Sequence, residues 1–240
     1  MSQDAKEALR HFWNACGLPE TAWPEALERY QRYWGLIQTH NEPAGLMGRV
    51  SPEDFYLKHL VDSLSILAAY PGLIDRGPQT RGIAFGDPAP CRLVDVGSGA
   101  GLPGIVLAVA LPQLQLAAVE SNHKKSRFVA TAIESLGLAA RAAVINRRSR
   151  DLGHDRNFAG QFDVVTARAV ASADKLIRDC RLLLAAGGSA ILYKTPAAVA
   201  EEFPLARREA AKHKLTVETS AVIDLPAGAG TRQFIRIRAA

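Results

Sequence analysis

The chain has 240 residues, with 29 Lys or Arg against 24 Asp or Glu and a formal net charge of +5; 48% of it is apolar and 22% charged. This composition excludes a disordered or fibrous chain and supplies a core for one large domain, or one domain with a small appendage. The longest uncharged stretch, from Val96 up to Glu120, is broken by four glycines, two prolines and two glutamines, so it cannot supply the ~20 apolar residues of a membrane span.

The opening, MSQDAKEALRHF, is charged and lacks the apolar run and small-residue cleavage site of a secretory signal, which predicts a cytoplasmic protein with no membrane partner. Apolar residues at Leu27, Tyr30, Trp34 and Ile37 follow the spacing of one helical face, and Pro24 suits a first turn, so a helix is expected from Pro24 to Thr39. Ser51-Pro52-Glu53-Asp54 is a helix start, with a capping hydroxyl, a first-turn proline and two acids at the positive end of the dipole. That helix should run through FYLKHLVDSLSILAAY and stop before Pro71-Gly72. The glycine- and proline-rich RGPQTRGIAFGDPAP follows, which divides the chain into a helical region at 1–78, a linker loop at 79–90 and a second domain at 91–240.

From Cys91 onward, short apolar strands alternate with helical segments, the pattern of an α/β fold with a mostly parallel sheet. Strands are expected at 92–96, 115–120, 142–146, 162–167, 188–194, 216–223 and 232–238. The last two lack a helix between them and should form an antiparallel hairpin at the sheet edge, turned by PAGAGT at 226–231. Cys16, Cys91 and Cys180 stand apart and outside any CxxC spacing, which argues against disulfides and against a zinc site; no metal is expected. Residues 1–80 carry 7 basic and 10 acidic side chains and residues 81–240 carry 22 and 14, so the basic character belongs to the second part. Such a surface is either simply solvated or a contact for a polyanion.

Residues 92–104 read RLVDVGSGAGLPG, a strand entering a glycine-rich turn and a helix. Gly97, Gly99 and Gly101 let the backbone turn tightly and approach a ligand closely, with Ser98 and Leu102 between and beside them. Residues 99–104 also fit the dinucleotide pattern GxGxxG, with Glu120 placed to hold a ribose. Asp95 tilts the choice: beside a pyrophosphate it repels, whereas it complements the ammonium of S-adenosyl-L-methionine. Glu120, closing LAAVE, is the expected acceptor for the ribose hydroxyls of either cofactor.

Taken together, the blocks HLVDSL at 59–64, VDVGSGAGLPGI at 94–105, ESNHKKSRFV at 120–129 and FDVVTARAVAS at 162–172, with Lys194 and Arg232, resemble the small-subunit (16S) ribosomal RNA guanine-N7 methyltransferase family, RsmG or glucose-inhibited division protein B. The resemblance runs from about residue 27 to the C-terminus. It implies a class I S-adenosyl-L-methionine-dependent methyltransferase with a Rossmann-like seven-stranded sheet and an N-terminal helical cap, acting on small-subunit ribosomal RNA or the ribosomal particle; a monomer is expected. It also puts Gly97, Leu102, Ser149, Arg150 and Arg168 at cofactor-contact positions. Two features depart from the family pattern: Gly35 after Trp34 together with GLMGRV around Leu46, and Arg150 where the family tends to carry an acid.

Guanine N7 has a free lone pair at neutral pH, so its methylation needs no general base; the enzyme orients an in-line displacement and excludes water. An arginine fork aimed at O6 would select guanine, and Arg168 is the expected catalytic residue, with the methionine carboxylate or an RNA phosphate as its other possible partners. His59 and Asp62, three apart on one helical face, are expected to tie the N-terminal helices to the sheet. Lys124, Lys125, Arg127 and Arg148, beside Arg147 and Arg150, are expected to line an RNA path, with Lys194 and Arg232. The remaining readings are a methyltransferase of the same fold with another substrate, a dinucleotide-dependent oxidoreductase, and a non-enzymatic RNA-binding protein.

Overall fold

The computed structural model describes residues 2–73 and 90–239. Helix α1, Gln3–Ala15, starts at Ser2, whose hydroxyl accepts the Ala5 N–H, and buries Leu9, Phe12 and Trp13. Helix α2, Trp23–Ala44, has Pro24 in its first turn and outruns its expected end at Thr39, ending at a left-handed Gly45. Ser51 opens the next helix by accepting the Asp54 N–H at 3.0 Å. This helix runs as three consecutive pieces: α3, Pro52–Asp54, a π-helical stretch, Phe55–Leu60, and α4, Val61–Ala69. A π-helical turn shifts which side chains share a face, an irregularity that counting apolar residues does not detect. The linker expected at 79–90 lies, but for Pro90, outside the described residues, as do residues 74–78 of the expected helical region.

The second part alternates as expected. Its elements are β1 Arg92–Val96, α5 Gly104–Ala110, β2 Gln115–Val119, α6 His123–Ser135, β3 Ala142–Ile145, α7 Ser149–Leu152, β4 Phe162–Arg168 and α8 Ala173–Cys180. They continue with β5 Leu184–Lys194, α9 Pro196–Ala211, β6 Leu215–Thr219, β7 Ile223–Asp224 and β8 Thr231–Ala239. The sheet order is β3-β2-β1-β4-β5-β8-β6, with β7 paired to β8. Strands β1 to β5 are parallel, and β8 runs antiparallel to both of its neighbours. Helices cover both faces, which is why the inner strands are buried throughout and read as continuous apolar runs.

One expectation about the C-terminal strands is corrected. The strand expected at 216–223 is interrupted, because the Ser220 hydroxyl accepts the Phe234 N–H at 3.0 Å and ends the β6 ladder; the chain then forms the separate two-residue β7, giving eight strands among the described residues rather than seven. The antiparallel pairing at the sheet edge holds, with β6 outermost and β8 inside it. Strand β8 fills the place between β5 and β6, and the turn at 226–230 joins it to β7, closed by Leu225 N–H on the Gly230 carbonyl at 2.8 Å.

Helices α1, α2, α4, α5 and α6 share one core on one face of the sheet, with Trp13, Tyr30, Tyr33, Phe55 and Phe234 among its fully buried side chains. One tie between helix and sheet is polar. Asp62 of α4 is fully buried, and its carboxylate receives Arg168 of β4 through Nε at 2.9 Å and Arg232 of β8 through both Nε and Nη2. Next to it, the Ser63 carbonyl accepts the Tyr193 hydroxyl of β5 at 2.8 Å. Arg232, expected on an RNA path, is thus a mostly buried group whose Nε and Nη2 are spent on Asp62. Asp62→Ala should destabilise the fold by about 3–5 kcal/mol in urea unfolding, because two guanidiniums lose their common counter-charge; a loss under about 1 kcal/mol would mean that water replaces the carboxylate.

Candidate functional site

Strands β1, β2 and β4 end side by side where the strand order reverses, the place where open α/β sheets bind ligands. The segments that follow them line a cleft of about 400 Å³ with Gly97, Ser98, Gly99, Leu102, Glu120 and Arg168, closed on the helical side by Leu46, Met47 and His59. The GLMGRV segment is therefore a wall of the site.

The glycine loop is shaped from both sides. Gly97 is left-handed, and a Cβ there would come within 2.6 Å of Val170. Val170 reaches this position because Ala169 takes a left-handed φ of 55°, a strained choice for a residue with a Cβ, which turns the chain just after Arg168. A Cβ on Gly104 would lie 2.9 Å from the Asp95 carboxylate, so the third glycine of GxGxxG makes room for an acid of this chain.

Asp95 lies beneath the loop rather than among the residues that line the cleft. It is fully buried, with one oxygen accepting the Gly104 N–H at 3.0 Å and the other the Thr166 hydroxyl at 2.8 Å. Its carboxylate joins β1, β4 and the start of α5 beneath the loop. The loop is also held from α2, where the buried Tyr33 hydroxyl donates to the Ala100 carbonyl and Tyr30 donates to Val106. Sequence reasoning missed Tyr30, Tyr33 and Thr166, whose partners are all more than sixty residues away.

Facing the cleft, Glu120 accepts the Gly99 and Asn122 N–H groups at 2.9 and 2.7 Å and keeps lone pairs on both oxygens for a ligand. Two lining residues carry buried polar atoms with no partner: the Ser98 hydroxyl and Nη1 of Arg168. Arg168 has its Nε on Asp62 and its Nη2 3.0 Å from Nδ1 of His59. Asp62 and His59 thus take up the Nε–Nη2 side of the guanidinium, and Nη1 is left without a partner.

A second hollow of about 280 Å³ adjoins the first and shares Gly97, Ser121 and Val170 with it. It is lined by Arg148, Ser149, Arg150 and Asp179, and the Ser149 hydroxyl donates to Asp179 at 3.1 Å. Arg150 is exposed beside Asp151. Lys125 lines the main cleft and Lys124, Arg127 and Arg148 are exposed around it, none ion-paired among the described residues. Lys194 does not join them. Its ammonium is buried against Glu202 at 2.8 Å and the Ala171 carbonyl at 2.8 Å, which removes it from the expected RNA path.

Burial raises the Asp95 carboxyl from its ordinary 3.8 to about 7, against the lowering effect of the Thr166 and Gly104 hydrogen bonds. Burial, with the Arg168 charge adding to it, lowers the His59 imidazole from 6.5 to about 4. The folded state thus holds the Asp95 proton more tightly than the unfolded state, and the stability from that proton is lost as pH rises from about 4 to about 7. His59 acts in the opposite sense, and its contribution is lost as pH falls from about 6.5 to about 4. In denaturant unfolding across this range, Asp95→Asn should therefore gain on the parent as pH rises and level off above about 7; a difference independent of pH would contradict the buried proton.

The profile of the family described as GidB, rRNA small subunit methyltransferase G, matches residues 26–227. Proteins named ribosomal RNA small subunit methyltransferase G are similar over nearly the whole chain. One from Gloeobacter violaceus is 33% identical, covering 90% of this chain and 80% of its own; one from Synechococcus sp. is 32% identical, covering 89% and 84%. Among solved structures, the Bacillus subtilis tRNA methyltransferase TrmK superposes with a TM-score of 0.50 at 15% identity, covering 64% of this chain and 62% of its own. Pyrococcus horikoshii TYW2, in complex with MeSAdo, also gives 0.50 at 15% identity, covering 63% and 58%. These likenesses are of fold, that of the class I methyltransferases. The sequence matches establish more: the chain belongs to the rRNA small subunit methyltransferase G family.

Proposed function

We propose that this protein transfers the methyl group of S-adenosyl-L-methionine to N7 of a guanine in small-subunit ribosomal RNA. The observation that carries the reading is one cleft at the switch point of the sheet, in which the Glu120 carboxylate faces an unpartnered Ser98 hydroxyl and an unpartnered Arg168 N–H. This donor set fits the cofactor. Glu120 would accept from the ribose hydroxyls, Gly97 and Gly99 leave room for close approach, and Ser98 and Arg168 would donate to the methionine carboxylate. Arg168 shares the Asp62 carboxylate with Arg232 and keeps Nη1 unpartnered, a charged donor that suits an anionic group. The smaller hollow with Ser149 and Asp179 would take the base of the cofactor.

Bound there, S-adenosyl-L-methionine supplies an electrophilic methyl group. The residues of the chain position the two reactants and keep water out, with Leu46, Met47 and Leu102 as the apolar wall. Guanine N7 brings its own lone pair, and no side chain is required to remove a proton. The dinucleotide reading is disfavoured by a specific contact: the N–H of Gly104, which opens helix α5, is taken by Asp95, so a pyrophosphate arriving there would meet a carboxyl group. The RNA would lie across Lys124, Lys125, Arg127 and Arg148, the cations left exposed around the site.

Two measurements test this. Labelled S-adenosyl-L-methionine incubated with small ribosomal subunits lacking the modification should label one guanine, and titration should show binding of the cofactor and none of NAD, with Glu120→Ala weakening it by about 1–3 kcal/mol. Binding of NAD in its place, or transfer to another substrate alone, would overturn the assignment. RNA affinity should also fall steeply with salt, and Lys124→Ala and Arg148→Ala should each flatten that slope by up to about one unit; a slope near zero would remove the RNA contact.

A further inference from the structure

His59 has no task in the reaction as argued so far, yet its ring lines the cleft and is held from one side by Arg168. Nη2 of Arg168 lies 3.0 Å from its Nδ1. A guanidinium has donors only, so Nδ1 must be the nitrogen with the lone pair, and the ring proton must sit on Nε2. The arrangement cannot flip, because Arg168 is itself held by the fully buried Asp62. Nε2 has no partner among the described residues, and the ring lines the cleft beside Leu102, Glu120 and Arg168. The π-helical stretch Phe55–Leu60 is the local device that presents it there.

We propose that His59, fixed by Arg168 as the Nε2–H tautomer, donates this N–H to O6 of the target guanine and so selects guanine over adenine. The proposal rests on the methyltransferase reading above. The attacking N7 must keep its lone pair, so recognition has to use the neighbouring atom; guanine offers an acceptor there, whereas adenine offers an amino group that would meet His59 donor to donor. A neutral donor also suits the product better than a charged one. N7-methylated guanine is a cation, and an arginine fork on O6 would oppose the charge that develops on the base. Burial holds the ring neutral, with Arg168 from β4 and Lys58 adding to the effect against Asp62 and Asp54.

The test separates the two ring nitrogens. His59→Asn keeps an acceptor for Arg168 near the Nδ1 position and loses the Nε2–H, whereas His59→Gln places an amide N–H near the Nε2 position. Each is assayed on subunit RNA carrying either guanine or 2-aminopurine at the methylated position, the latter keeping N7 but lacking O6. The parent should be about 10- to 100-fold slower on 2-aminopurine. His59→Asn should be slow on both, with a cofactor dissociation constant within twofold of the parent, and His59→Gln should regain part of the rate on guanine only. A parent indifferent to O6, or a His59→Asn protein that still discriminates, would overturn the proposal; the first of these does not depend on any variant folding. Failure of the parent to methylate guanine at all is a separate outcome, which removes the underlying reading of function and the role of His59 with it.

Discussion

The site depends on one buried carboxylate. Asp62 has no access to water and faces two guanidiniums that are themselves mostly buried, so each of the three charges is tolerable only where the other two are. The three come from α4, β4 and β8, which are distant in sequence, and the pairing fixes how the helical layer sits on the sheet. It also fixes function-bearing atoms: Arg168 is aimed by Asp62, and His59 is oriented by Arg168. The block HLVDSL is thus a docking surface, presenting His59, Asp62 and the Ser63 carbonyl to the strand ends.

The glycine loop follows the same logic in reverse. Three left-handed glycines give a backbone that can approach a ligand but has little reason to hold one shape. Rigidity is supplied from behind, by Asp95 on the Gly104 amide and Tyr33 on the Ala100 carbonyl. An acid at position 95 therefore has a structural task in the loop itself. Its carboxyl binds two neutral donors in a dry setting, which is why its proton is held to about pH 7.

The strands from β1 to β5 were legible because each is a short apolar run between turn signals, and the glycine loop because its spacing has few other uses. Glu120 was legible for the same reason, as the acid closing the second strand. What could not be read was the pairing of charges. Lys194, Arg232, Lys124 and Arg148 are alike as letters; the first two are buried on Glu202 and Asp62, and only the last two face solvent. Ser220 ending β6 and the π-helical turn before His59 were likewise hidden, since each depends on contacts or on a local backbone choice rather than on periodicity.

The division between buried and exposed cations bears on the proposed chemistry. Methyl transfer to N7 relocates a positive charge from sulfur to the base without creating one, so a site with a strong net charge of either sign would favour one end of the reaction over the other. The wall of the cleft is close to balanced: Arg168 and Arg232 stand against Asp62 and Glu120, and His59 is neutral. The cations left over are outside, on α6 and beside α7, where they can attract a polyanion at long range without imposing a field on the reacting atoms. Burying Arg168 and Arg232 on Asp62 thus separates the task of recruiting RNA from the task of transferring a methyl group, and allows each to be set without disturbing the other.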